Sequence, residues 1–365
     1  MRGVRGVVLR TSSLIVGLVL IVFGAGAAPR AEAETAWLGL VAGPPASSET
    51  VQAADMARLF EKDGAFRVVP MLGDAGAGNI ALLLNDPSVD VAFVSIDALS
   101  AAAATDPTLS DRLELVVRLA PQEIHVLART DIDSVADLAG RKVSFGPVGS
   151  SSAATAAALF KALSISVEAE SLDASAAIER LKQGTIDAAV IVGGKPYPLI
   201  GAVPANSGVH LLPIPFGAPL ETAYLPTRID QRDYPNLIQT GGEVPTVATR
   251  MVLLAAKGDP RSAERVAHFV EVLFSRFAEL QVPERHPKWR ELNLAASLPG
   301  FRRTEAAAAW LNARTAETGT KPIVASPGAI QPASVPEAAT TRDDQGTLFS
   351  RFIEWRRSKD ISARK

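Results

Sequence analysis

The 365-residue chain is 47% hydrophobic and 21% charged, a balance that builds a packed core and excludes disorder throughout. Its 37 basic and 39 acidic residues leave a formal net charge of -2, with no basic run interleaved with aromatics, so nucleic acid is excluded as a partner. Cysteine is absent, which removes disulfides, cysteine nucleophiles and thiolate metal sites. Arg2, Arg5 and Arg10 precede an uncharged apolar run over 14–28, too short and glycine-rich for a comfortable membrane span. Ala31-Glu32-Ala33 then fits a small-x-small cleavage pattern. Residues 1–33 are therefore expected to be a cleaved secretory signal, with an uncleaved anchor as the alternative, and the mature chain to begin at Glu34.

Residues 36–42 predict a first strand, followed by a Gly/Ser turn over 43–48 and a helix over 49–62. In open α/β sheets ligands sit at the carboxyl ends of strands, which makes Gly43, Ser47 and Ser48 candidates for ligand contact. A second strand is predicted over 66–71, then a flexible DAGAGN loop over 74–79 leading to an apolar segment at 80–84. A third strand over 89–95 ends at Ser95-Ile96-Asp97. Asn79 is a ligand candidate or a turn and cap residue; Asp97 is a partner for a ligand ammonium or amide, or a helix cap. Residues 113–119 and 123–128 read as strands, the second a crossover between lobes. His125 lies mid-strand with no second histidine near it in sequence and reads as a structural histidine, since no metal-ligand spacing exists.

The most informative stretch is 135–163: a short helix at 135–138, a strand at 142–145, a Gly146-Pro147-Val148-Gly149 turn, and a helix from Ser150. Gly149 permits close approach of a ligand to the backbone, and Ser150, Ser151 and Ser152 are cap candidates. The free N–H groups of that first turn suit a carboxylate or phosphate. A second unit follows: a helix over 174–182, Gly184 as its stop, and a buried strand over 186–192 that ends at Gly193-Gly194, whose backbone N–H groups can face a cleft. Lys195 is an anion partner or a solvated lysine. The run 244–256 predicts one strand crossing back to the first lobe, with Arg250 beside it positioned to pair with a carboxylate of protein or ligand. Residues 261–280 predict an amphipathic helix with Val266, Phe269, Val270, Leu273 and Phe277 on its core face.

From 318 the composition turns to Pro, Ser, Ala and Thr, an extended linker over 318–345. A last helix within 346–365 carries Leu348, Phe349, Phe352 and Trp355 on one side, to dock on the body or, with Arg351, Arg356 and Arg357, on a permease or anionic lipid. Four histidines stand singly at 125, 210, 268 and 286, and no zinc-protease helix, Walker turn or nucleophile elbow is present. Binding is expected rather than catalysis, with no metal and no cofactor.

The segments DLAGRKVSFGPVGSSS (137–152) and AIERLKQGTIDAAVIVGGKP (177–196) resemble the TAXI-type solute receptors of TRAP transporters, and the likeness runs more loosely over 38–312. It implies an α/β, two-lobed type II periplasmic binding protein fold with a hinge of two crossover strands. Lobe I is expected to be 34–129 plus 247–317, and lobe II 130–246. The resemblance also bears on Asn79, on the Ser95 and Asp97 strand end, and on the tyrosine-proline stretch around Tyr224 and Tyr234. Where those receptors carry a more glycine-rich first turn backed by tyrosines, this chain has Pro44 and Pro45. The implied function is periplasmic capture of a small organic anion, an amino acid or carboxylate, for a TRAP-type membrane permease. The same fold serving an ABC importer, or a sensor without a transport role, is the alternative.

Overall fold

The computed structural model describes residues 36–318. The signal segment, the proline-rich linker and the last helix expected from the sequence lie outside the described residues, apart from the linker's first position.

In chain order the elements are β1 (Ala36–Val41), α1 (Ser48–Leu59), β2 (Phe66–Met71), α2 (Ala77–Asn85), β3 (Val91–Ser95), α3 (Ile96–Thr105), α4 (Leu109–Arg112) and β4 (Leu113–Arg118). Then come β5 (Gln122–Arg129), β6 (Lys142–Ser144), α5 (Ser151–Ala162), β7 (Glu168–Glu170), α6 (Ala174–Lys182), β8 (Ala188–Gly193), α7 (Pro198–Gly201) and β9 (Val209–Leu211). The chain continues through β10 (Leu225–Asp230), β11 (Glu243–Thr249), β12 (Met251–Ala256), α8 (Pro260–Ser275) and α9 (Glu305–Thr318). Three single 3-10 turns occupy Val135–Leu138, Phe277–Leu280 and Pro287–Glu291.

Two sheets form. The first has five strands in the order β2-β1-β3-β12-β4; the second runs β10-β11-β5-β8-β6-β7, with β9 paired to β5. The chain passes between them twice, from β4 to β5 and from β11 to β12. This is the two-sheet α/β architecture with two crossovers that the resemblance implies. The run 244–256, read as one strand, is two strands in different sheets, parted at Arg250. An unbroken apolar run reports burial on both faces but carries no information about which sheet each half joins. The expected lobe limits at 129/130 and 246/247 fall at the end of β5 and inside β11, and both strands pair in the second sheet.

Both faces of each sheet are covered, so strand alternation deals side chains to two cores rather than to core and solvent. Val91 and Phe93 of β3 pack with Leu253, Phe269 and Trp289, whereas Ala92 and Val94 pack with Ile80, Leu115, Val252 and Leu254 on the opposite face. In the second sheet Ile124, Val126 and Val190 meet Leu159 and Phe160 of α5, while Leu127 and Ile191 meet Ile178 and Leu181 of α6. Each such Val, Leu, Ile or Phe side chain, fully buried, contributes about 1.5–3 kcal/mol. Helix α8 buries Val266, Phe269, Val270, Leu273 and Phe274, with Phe269 stacked on Phe60 at 5.7 Å. It stops at Ser275, and the predicted continuation to 280 is a 3-10 turn. Asp90, buried at the start of β3, takes both Arg265 and Ser262 of α8 and the Gly39 N–H, locking that helix onto the sheet.

Candidate functional site

The two sheets meet along a seam built from the loops at the ends of β2, β3, β6 and β8. Two main-chain hydrogen bonds close it: Ala77 N–H donates to the Gly149 carbonyl at 2.8 Å, and Ser151 N–H to the Asp74 carbonyl at 2.9 Å. Both depend on glycine. Gly149 has φ +85, a conformation that L side chains rarely adopt. At Gly76 an added Cβ would fall 2.1 Å from the Gly149 carbonyl oxygen. The Asp74 carboxylate organises its own side of the seam, accepting the N–H groups of Gly76, Gly78 and Asn79 at the start of α2.

One turn along α5, Asp97 is a second junction. Its Oδ2 accepts the hydroxyl of Thr155 at 2.8 Å and that of Thr249 at 2.7 Å, joining α3 of the first sheet to α5 and β11 of the second. Tyr224 stands over the same point, its hydroxyl donating to the Thr155 carbonyl at 3.5 Å. Burial first, and the Asp97 charge second, push the Tyr224 phenol above its ordinary range.

The third junction centres on Ser48. Its Oγ accepts the Gly194 N–H at 2.7 Å and lies 3.1 Å from Gln122 Oε1 and 3.2 Å from Glu49 Oε2. One hydroxyl proton cannot serve both acceptors. Glu49 is 1% exposed, and burial raises its carboxyl pKa above the ordinary 4.5. A protonated Glu49 can donate to Ser48, which frees the serine proton for Gln122. Among the described residues Glu49 Oε1 has no hydrogen-bond partner. Behind this point Lys288, itself buried, bonds Glu123 and Glu291 at 2.7 Å each, and burial raises Glu123 despite that lysine.

The sequence-predicted residues divide by what their polar groups do here. Ser47, Ser95 and Ser150 cap α1, α3 and α5, accepting from Thr50, Ala98 and Ala153 N–H respectively. Asn79 is buried, its amide donating to the Ala42 and Phe93 carbonyls while its oxygen accepts Asp74 N–H, so it ties the end of β1, the middle of β3 and the loop after β2 together. Ser152 Oγ accepts Val192 N–H and fastens α5 to β8. Gly43 faces Ser47 and Glu49 so closely that a Cβ would meet Ser47 Oγ at 2.5 Å. Gly193 gives way to the Tyr197 ring, and Gly194 to Lys288 and Gln122. Ser48, Asp97, Gly149, Ser151, Gly194 and Tyr224 thus stand where the two sheets touch. The anion expected over the Ser150 helix meets a different occupant: the Asp74 carbonyl oxygen holds Ser151 N–H. Lys195, set beside Gly194, turns away to Asp233 at 2.9 Å and Asp230. His125 is buried and neutral, its pKa lowered to about 3 by burial, with Nδ1 on the Ile191 carbonyl and Nε2 accepting from Tyr234.

Residues 53–300 match the NMT1-like family. The chain belongs to the NMT1-like family. Similar solved structures include one described as a periplasmic transporter, 14% identical with a TM-score of 0.48, covering 79% of this chain and 98% of that one. An ancestral arginine-binding protein bound to arginine is 17% identical with a TM-score of 0.43, over 67% and 94% of the two chains. The alkanesulfonate-binding protein of Xanthomonas axonopodis pv. citri bound to MOPS is 17% identical with a TM-score of 0.41, over 78% and 94%.

In this NMT1-like chain, sequence reasoning passed over Glu49, Asp74, Gly76, Thr155 and Thr249. Glu49 sits in the first turn of α1, where an acid is favoured by the helix dipole and so draws no notice. The threonines lie 58 and 152 residues from Asp97, and nothing local marks them. Among the described residues no group of His, Cys, Asp or Glu could hold a metal, and no helix is long and apolar enough to cross a membrane.

Proposed function

We propose that this chain is an extracytoplasmic solute-binding protein that captures a small organic anion, an amino acid or carboxylate, between two lobes and hands it to a TRAP-type permease. The lobes are the two sheets with their helices, and the crossovers β4–β5 and β11–β12 are the hinge. The observation that carries this reading is the seam itself: both sheets direct main-chain N–H groups and hydroxyls at each other through glycine-lined loops. Ser151 N–H already meets an oxygen from the other sheet, so a ligand carboxylate entering the seam takes the place of the Asp74 carbonyl at the start of α5. The unpartnered, buried Glu49 oxygen beside Ser48 and Gly194 is suited to a donor on the same solute, such as an ammonium or amide.

A thermal-shift screen of amino acids and mono- and dicarboxylates tests the solute class, and small-angle scattering with each hit tests closure. No stabilising compound in either class, or stabilisation without compaction, overturns the reading. The permease is tested separately by reconstituting uptake with the TRAP-type membrane subunits of the same source. Uptake through an ABC importer instead, or solute binding without uptake, assigns the receptor to the alternative roles.

A further inference from the structure

Three arginines gather beside the crossovers with no carboxylate to balance them. Arg118 ends β4 and Arg250 parts β11 from β12, so each crossover carries one. In the β4–β12 register Arg118 lies opposite Val252 and shares its face of the first sheet, and Arg250 stands two residues before Val252, just outside β12. That face carries Leu115, Val252, Leu254, Leu298 and Phe301. Arg303 joins them from the segment before α9, which is clipped to β4 by the Leu115–Arg303 bridge and by the Thr304 N–H to Leu115 carbonyl bond.

Arg118 feels the charge of Arg250, and Arg303 that of Arg118. Burial first, then the Arg250 charge, lowers the proton affinity of Arg118; burial first, then the Arg118 charge, lowers that of Arg303. Among the described residues none of the three forms an ion pair. Arg250 Nη1 donates to the Ala223 carbonyl at 3.2 Å and Arg303 Nη2 to the Ala296 carbonyl at 2.6 Å. Arg303 Nη1 is buried with no acceptor. A guanidinium offers five donors in a rigid fork, so most of this donor capacity is unused. A buried donor left unmade, next to uncompensated like charge, is the environment that an oxyanion satisfies, since its oxygens accept bidentate bonds from several arginines at once.

We propose that Arg118, Arg250 and Arg303 form a binding site for a compact oxyanion, a carboxylate, sulfate or phosphate group, on the flank of the two crossovers. Arg250 also reaches Ala223, next to Tyr224 of the seam, so an anion held here links both crossovers to the second sheet and favours the closed arrangement. The site does not depend on the identity of the solute taken up in the seam.

The test is thermal unfolding and calorimetric titration of the full chain with sodium sulfate, against sodium chloride at matched ionic strength. Sulfate is expected to raise the melting temperature saturably beyond the chloride effect. Arg118→Gln and Arg303→Gln are each expected to weaken sulfate binding roughly tenfold or more. In sulfate-free buffer Arg118→Gln should melt at or above the parent temperature, because it removes one of three unbalanced charges and breaks none of the hydrogen bonds described above. Arg118→Lys keeps the charge and the fold but loses the fork, and should bind sulfate weakly. A sulfate effect no larger than that of chloride, parent-like affinity in the variants, or an Arg118→Gln chain that melts lower without any anion overturns the proposal. Where a carboxylate solute is in hand, sulfate and solute are expected to bind together, and competition between them overturns a site separate from the seam.

Discussion

Gly76→Ala is the sharpest perturbation of the closed seam. The new Cβ would lie 2.1 Å from the Gly149 carbonyl oxygen, 2.7 Å from the Ser150 carbonyl carbon and 2.8 Å from Ser151 N. All three are main-chain atoms at the start of α5, so no rotamer change relieves the clash, and non-bonded heavy atoms need about 3.5 Å. The loops must part by roughly 1 Å or more, which carries the 2.8 and 2.9 Å bonds of the seam past useful hydrogen-bond length. A bound carboxylate replaces the Asp74 carbonyl at Ser151 N–H, so the liganded closed form loses only the Ala77–Gly149 bond, about 0.5–1.5 kcal/mol. That is a shift of about 2- to 13-fold toward the open form, and solute affinity falls with the closed fraction. Small-angle scattering should show Gly76→Ala more extended than the parent under the same solute, with the loss in affinity measured by calorimetry. Gly64→Ala, where an added Cβ meets nothing within 4 Å, is the control and should behave as the parent. If Gly76→Ala compacts fully and binds with unchanged affinity, the seam is not the closing surface.

Gly149→Asp combines a left-handed φ of +85 with a new carboxylate pointed at Asp74 Oδ2, 3.8 Å from the Cβ position, and should abolish solute binding while far-ultraviolet circular dichroism stays native; unchanged binding would return the glycine–serine turn to ordinary capping. Glu49 holds its proton more tightly folded than unfolded, so its contribution to stability is complete below about pH 4.5 and is lost as pH rises through its raised folded value. Glu49→Gln should therefore raise the urea midpoint at pH 7–8 with the gain vanishing near pH 4, and an equal gain at both ends would refute a buried ionisable Glu49. His125 and His286 have the opposite sign: burial lowers them to about 3 and about 4, so stability is full above their unfolded value of 6.5 and falls as pH drops, each by up to about 1.4 kcal/mol per pH unit. Imidazole proton resonances of His125 and His286 that titrate between pH 7 and pH 5 would show that these imidazoles are not held neutral.

What the sequence disclosed follows from the range of the interactions involved. The strand–turn–helix at 142–163 is local: alternation sets β6, a left-handed glycine makes the turn, and Ser150 caps α5 through a bond three residues away. His125 was legible as structural because a lone imidazole in an apolar strand needs two partners, which Ile191 and Tyr234 supply. Asn79 was less so, since its partners Ala42 and Phe93 come from other strands and a sequence cannot say whether an amide faces backbone or ligand. The break at Arg250 was hidden because buried strands in adjacent sheets make one apolar run. The contacts across the seam, Asp97 with Thr249 above all, are tertiary events between residues unremarkable in their own neighbourhoods.

The placement of β12 has a consequence for the order in which the molecule can be made. β3 and β4 are consecutive strands of the first sheet, yet β12 lies between them, and among the described residues β4 has no other strand partner. During synthesis the first sheet therefore waits for residues 251–256, while every strand of the second sheet, between Gln122 and Thr249, has already emerged. Until then β3 and β4 present unpaired, apolar edges to anything nearby, and the late closure of so long a loop is slow. A nascent chain arrested just after Thr249 should show hydrogen-exchange protection in β5 and β8 but none in β4, and protection of β4 should appear only when Ala256 has left the ribosome.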